Sequence, residues 1–263
     1  MTKRGLWGGA LALLLLAPQS APALQLPESA AVQVFAPPVG QPMTYRVTTR
    51  RVSRSGTLIS FALVYALQWQ GAGRGYRLDT TLRRIESDAR PELVRGLAGL
   101  FEPLVGETVS YLVDADGRQV MLADPAQLWA RVAQRTQDLA ARSDTPEARQ
   151  VAALLAALPE AEREKMITAD IRALAAPANA SIPKAESDDV AIRQEGSNRM
   201  IGRSERVELA AGAPLDIDTL WTVDTAAGLV LAERRQSWTR EPGTDARTLV
   251  EERIRALSMG DPG

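Results

Sequence analysis

The stretch Leu58-ISFALVYALQWQ-GAGRG-YRLDTTLRR-Ile85 decides how the whole chain is read. In its first limb Ile59, Phe61, Leu63, Tyr65, Leu67 and Trp69 occupy every second position. Small or polar residues fall between them, with Val64 the exception. A period of two marks a half-buried strand, and the glycine-rich break after Gln70 marks a turn. The second limb continues the pattern, with Tyr76, Leu78, Thr80 and Leu82 against Arg77, Asp79, Thr81 and Arg83. The expectation is a long antiparallel hairpin with one apolar face. Phe61, Leu63, Tyr65, Leu67 and Trp69 form the candidate apolar binding surface on that face. Core packing under helices accounts for the same residues.

The bulk properties narrow the possibilities around that hairpin. The chain has 263 residues, 45% hydrophobic and 24% charged, enough to build a sizeable core. A formal net charge of −1 carries no nucleic-acid footprint. There is no cysteine and no histidine. Disulfides, thiolate metal sites and every Ser-His or Cys-His nucleophile are therefore excluded, and with them the commonest general base. Enzymatic chemistry would have to use carboxylates, tyrosines, arginines, Lys165 or Lys184.

Residues 1–23 read as a secretory signal. Lys3 and Arg4 precede an apolar run from Leu6 to Ala17, and Ala21-Pro22-Ala23 is an A-x-A cleavage site. The run is about 12 residues against roughly 20 for a membrane span, which favours cleavage over anchoring. The expected location is periplasmic or secreted from a bacterium. Residues 24–41, rich in Pro and Ala, read as an extended lead-in.

From residue 42 to 263 the order is strands, a helix, a hairpin, three helices and a strand meander. Met43 to Val52 is the first strand. Asp88 to Gly106 switches to helical spacing, and Glu107 to Leu122 forms a second hairpin turning at Asp114-Ala-Asp-Gly117. Asp124-Pro125, Thr145-Pro146 and Pro159 open three successive helices. In the third, Met166, Ile167, Ile171 and Leu174 are expected to point inward. The helical insert spans 124–175 and a Pro/Ala/Ser-rich linker 175–189. Short strands at Val190 to Gln194 and Glu205 to Ala210 follow, then Asp216 to Val223, Leu229 to Thr239 and Thr248 to Leu257. The last suits a helix nearly as well, and its hairpin context favours a strand. The fold class is α+β: a long-stranded curved antiparallel sheet, in a single domain, with the helical insert packed on one face.

Local patterns that suggest chemistry each have a plainer explanation. Asp114 and Asp116 echo a calcium loop, but the required bidentate Glu is replaced by Pro125 and a hairpin turn suffices. Ser181-Ile-Pro-Lys184 matches S-x-x-K in a linker, where no helix brings the lysine back beside the serine. Gly71, Gly73 and Gly75 precede a strand, whereas phosphate-cradling glycines precede a helix. Asn179-Ala-Ser181 is a formal glycosylation sequon. Asp216 and Asp218 share one strand face and could act as acid and base in a hydrolase, or lie on a solvated strand end. Arg46, Arg50, Arg51, Arg54, Arg74, Arg77, Arg83 and Arg84 could form a platform for anions, or a solvated face interleaved with acids.

The export signal, the strands Leu58 to Gln70 and Tyr76 to Ile85, the helices between strands and the closing meander Trp221 to Leu257 resemble the periplasmic lipoprotein-carrier family and its lipid-binding mycobacterial relatives. The "VDADG" and "VDTAAG" turns also resemble those of secreted bacterial proteins with the same strand cadence. The resemblance implies an incurved sheet around a helical plug, with lipid held between them. Residues 24–41 do not supply the opening helix of the carriers, and no functional residue is carried over. The expectation is a non-enzymatic carrier in the bacterial envelope for an apolar or lipid-like ligand, or for an apolar segment of an envelope protein. It needs no cofactor or metal, binds no nucleic acid and has no transmembrane segment after cleavage. The alternatives are a structural module docking an envelope partner and a carboxylate-dependent hydrolase.

Overall fold

The computed structural model describes residues 35–52, 56–88, 101–142, 157–177, 182–209, 214–240 and 246–262, with the single positions 153 and 244. Outside them lie the export signal, most of the lead-in, most of the helix expected over 88–106, nearly all of that opening at Thr145, and Arg54, Asn179 and Ser181.

Ten strands form one curved antiparallel sheet in the order β5-β4-β3-β2-β1-β10-β9-β8-β7-β6. They are β1 (Pro42–Val52), β2 (Leu58–Ala72), β3 (Gly75–Ser87), β4 (Thr108–Val113), β5 (Val120–Leu122), β6 (Val190–Glu195), β7 (Asn198–Val207), β8 (Leu215–Asp224), β9 (Leu229–Arg240) and β10 (Arg247–Met259). The opening hairpin is β2–β3, in the register Trp69↔Leu78 and Tyr65↔Leu82, with a bulge between Val64 and Tyr65. Two meanders grow outward from the centre, and β1 and β10 close the seam between them. The segment 248–257 is thus a strand, paired with the start of the sheet. β7 begins at Asn198, earlier than the expected Glu205, and makes a tight hairpin with β6 across Gly196 (φ 60°).

This topology places the helices. The chain leaves β5 at one edge and must reach β6 at the other, so the connection crosses one face. That connection carries α1 (Pro125–Arg142) and α2 (Glu160–Leu174). Asp124 caps α1 by accepting a hydrogen bond from the Gln127 amide at 3.1 Å. Leu128 and Val132 of α1 are buried with Val109, Tyr111, Val120 and Leu122. α2 reaches from β5 to β9 and buries Ile171 and Leu174. Met166, expected inward, is 46% exposed. Arg163 of α2 stacks over the Trp129 ring of α1 at 5.1 Å, joining the two helices.

The lead-in does more than extend. Phe35 is buried, with its ring edge-on to Trp69 at 5.7 Å and Tyr76 at 5.5 Å. The Ala36 amide donates to the Ala227 carbonyl at 3.0 Å, so residues 35–36 bridge β2–β3 and the β8–β9 turn.

Gly75 shows how closely the hairpins approach. A Cβ there would overlap the Val113 carbonyl oxygen and lie 3.2 Å from the Asp114 Cα, both backbone atoms. Gly75→Ala is expected to cost about 1–3 kcal/mol in urea unfolding. Gly71→Ala, with nothing within 4 Å of the added carbon, is expected to stay within about 0.5 kcal/mol. Equal losses at the two positions would contradict the close approach.

Candidate functional site

The five residues of the candidate apolar surface do not share one environment. Leu67 and Trp69 lie in the main core, at 2% and 0% exposure. Phe61 and Leu63 form a second cluster with Leu82, against which Phe101, Leu104 and Val105 pack. Tyr65 lies between the two clusters and lines a cavity of about 60 Å³ with Tyr45, Leu82, Phe101, Leu104, Tyr111 and Met166. At roughly 30 Å³ per water, that volume holds about two waters. The apolar face is therefore filled at the Trp69 end and stops short of full packing beside Tyr65.

α2 closes over this pocket through polar contacts. The Tyr111 hydroxyl donates to the Ile167 carbonyl at 3.0 Å, and the Tyr45 hydroxyl to the Asp170 carbonyl at 3.2 Å. The Asp170 carboxylate accepts from Arg253 at 2.7 Å and from Arg255 at 3.0 Å, and Arg255 also donates to Glu233 at 2.6 Å. Burial, reinforced by the charge of Asp170, pushes the hydroxyls of Tyr45, Tyr65 and Tyr111 well above the usual phenol range, so they remain protonated. Burial works against the charge of Arg255, but Asp170 and Glu233 outweigh it and hold the guanidinium above its ordinary pKa.

These charges mark a change in the inner face. On β2, β3 and β4 it is apolar. On β10, β9 and β7 it carries Arg253 and Arg255, Glu233 and Arg235, and Arg203 and Glu205. The sequence reading missed them. The signal was charge on both alternations of Glu233-Arg-Arg235 and Glu252-Arg-Ile-Arg255, a pattern that fits neither an ordinary core face nor a one-sided solvated strand. Where this face meets the far flank of α2 it leaves a cleft of about 480 Å³, with Lys165, Arg172, Arg203, Arg235 and Arg255 on its walls and Trp221 among the lining residues.

The remaining sequence candidates take structural places. Asp216 receives Arg240 at 2.8 Å and Asp218 receives Arg247 at 2.7 Å, which ties β8 to β9 and β10. The hydrogen bond from Arg240 holds the Asp216 carboxyl below the usual range, opposite to what a general acid needs. Asp114 accepts from the Gln119 amide inside its turn at 3.0 Å. Among the arginines of the first three strands, Arg46 and Arg84 both bind Glu86, Arg50 binds Glu252, Arg51 binds Glu251 and Arg77 binds Asp79. The two arginines on Glu86 hold its carboxyl down at about 2. Arg46, Arg50, Arg77 and Arg84 thus belong to an acid–base lattice on the outer face, whereas Arg51 and Glu251 pair on the opposite face, in phase with Arg253 and Arg255. Among the described residues no three Asp or Glu side chains converge as a metal site, and no helix is long and apolar enough to cross a membrane.

No family model and no curated protein matches the chain. A solved structure from Vibrio parahaemolyticus, described as a candidate outer membrane lipoprotein-sorting protein domain, aligns with 83% of this chain and 85% of its own. The identity is 6% and the TM-score 0.19. At that score the likeness carries no argument about ligand or role.

Proposed function

We propose that the chain is a non-enzymatic binding protein of the bacterial envelope that holds an apolar or lipid-like ligand between its sheet and α2. The observation that carries this reading is the aromatic pocket beside Tyr65, where the inner face is left incompletely packed under a helix held by polar contacts. Its walls come from separate parts of the chain: β1–β4, the turn at Glu102–Leu104, and α2. In the closed arrangement it seats only the end of a chain. A longer acyl group would enter as α2 lifts from Tyr45 and Tyr111. The secretory pattern of residues 1–23 supports the envelope location.

Native mass spectrometry of the exported protein, before and after solvent extraction, tests the proposal. An apolar adduct that extraction removes is expected, and Leu82→Trp, which fills the pocket, should lower its occupancy. A protein that emerges without lipid and fails to take up a fluorescent fatty acid would refute the carrier role.

A further inference from the structure

We propose that the cleft between α2 and strands β7–β10 binds a phosphate group carried on a small organic body. The walls bring five cationic side chains, Lys165, Arg172, Arg203, Arg235 and Arg255, against two carboxylates, Glu205 and Glu233. Both carboxylates are already engaged: Arg203 holds Glu205 at 2.6 Å and Arg255 holds Glu233 at 2.6 Å. Among the described residues Lys165 reaches only Glu162, at 3.9 Å, with both groups largely exposed. Arg235 has no ion-pair partner among the described residues. The whole chain carries a net charge of −1, so this local cationic excess does not follow from composition.

The geometry selects the chemistry of the guest. Arg235 rises from the sheet floor and Lys165 comes from the helical wall, while Arg172 on the same wall donates to the Val120 carbonyl of β5 at 3.5 Å. Donors converging from different sides suit a tetrahedral anion with three accepting oxygens better than a planar carboxylate. The volume of about 480 Å³ is that of a small-molecule pocket and exceeds what an inorganic ion needs. Ala169 and Ala173 offer apolar surface for the body of the ester, backed by the buried Trp221 and Ala176. A soluble phosphate ester and a phospholipid headgroup share this chemistry. The cleft lies across α2 from the Tyr65 pocket, with Asp170, Arg255 and Glu233 between them, so the proposal does not rest on the carrier reading.

Calorimetry at low ionic strength with phenyl phosphate, and pelleting with phosphatidylglycerol vesicles, tests the site on the full chain. Saturable binding in at least one assay is expected. Arg235→Gln and Lys165→Gln should each weaken it by about tenfold, with the urea midpoint unchanged because both side chains are exposed. Arg118→Gln, the same charge change on the distant β4–β5 turn, should alter it less than about twofold. Phenyl phosphate binding without pelleting identifies a soluble ester. Pelleting that Arg235→Gln abolishes identifies a lipid headgroup. Absence of binding in both assays, or an equal loss in Arg118→Gln, overturns the proposal. Lipid-free protein that still binds phenyl phosphate would sink the carrier reading and leave this one intact.

Discussion

Replacing Arg255 by methionine is expected to destabilise the chain by about 3–5 kcal/mol, the range found when one partner of a buried ion cluster is removed. The Arg255 side chain is 10% exposed and that of Glu233 is 7% exposed, and Arg255 links Glu233 to Asp170. Methionine keeps much of the volume and removes every donor. Glu233 would be left buried without its cation, while Asp170 would keep Arg253. Changing Glu233 to leucine in the same chain should recover part of the loss, because an apolar pair of similar size avoids the desolvation of both ions. Urea unfolding of the single and double variants reads this directly. A loss under about 1 kcal/mol for Arg255→Met, or no recovery in the double variant, would show that solvent already compensates the cluster.

Trp69→Ala should be as damaging, at about 3–5 kcal/mol, for a different reason. Trp69 is fully buried and holds the rings of Phe35 and Tyr76 edge-on. Alanine would open a cavity on the central strands and remove the surface on which Phe35 sits. Trp69→Phe should cost under about 2 kcal/mol. It keeps most of the packing and deletes an indole N–H that is buried with no hydrogen-bond partner among the described residues. Limited proteolysis should cut the alanine variant near residue 36 faster than the parent chain. Identical cleavage rates would mean that Phe35 is held by the Ala36–Ala227 bond alone.

The two limbs of β2–β3 were legible because their alternation and turn are local signals. The same alternation could not say what covers the face, and so could not separate Trp69, sealed in the core, from Tyr65, which borders a pocket. That difference depends on where α2 lands, and the landing is set by contacts from Asp170 and Ile167 to strands far away in sequence. Gly202 and the polar Asn198, Arg199 and Ser204 interrupt the alternation of β7, so the strand expected at 205–210 lies at 198–207 instead; pairing with both β6 and β8 overrides those weak propensities. The ambiguity of 248–257 was settled by a partner some 200 residues earlier. The cationic cleft is the least legible feature, since its side chains come from α2 and four strands and no single window contains them.

The seam between β1 and β10 also governs how the protein reaches this state. Every other strand pairs with a neighbour in sequence, so each half of the sheet can begin to form from local hairpins. The seam instead joins positions as far apart as Thr44 and Gly260, bridged by a 2.8 Å hydrogen bond. Closing so long a loop makes the last pairing the slowest in kind. Until residues 247–259 arrive, β1 and β9 both present bare edges, the templates on which chains aggregate. The docking of β10 therefore acts as an internal chaperone, covering in one step the two edges that its absence leaves exposed.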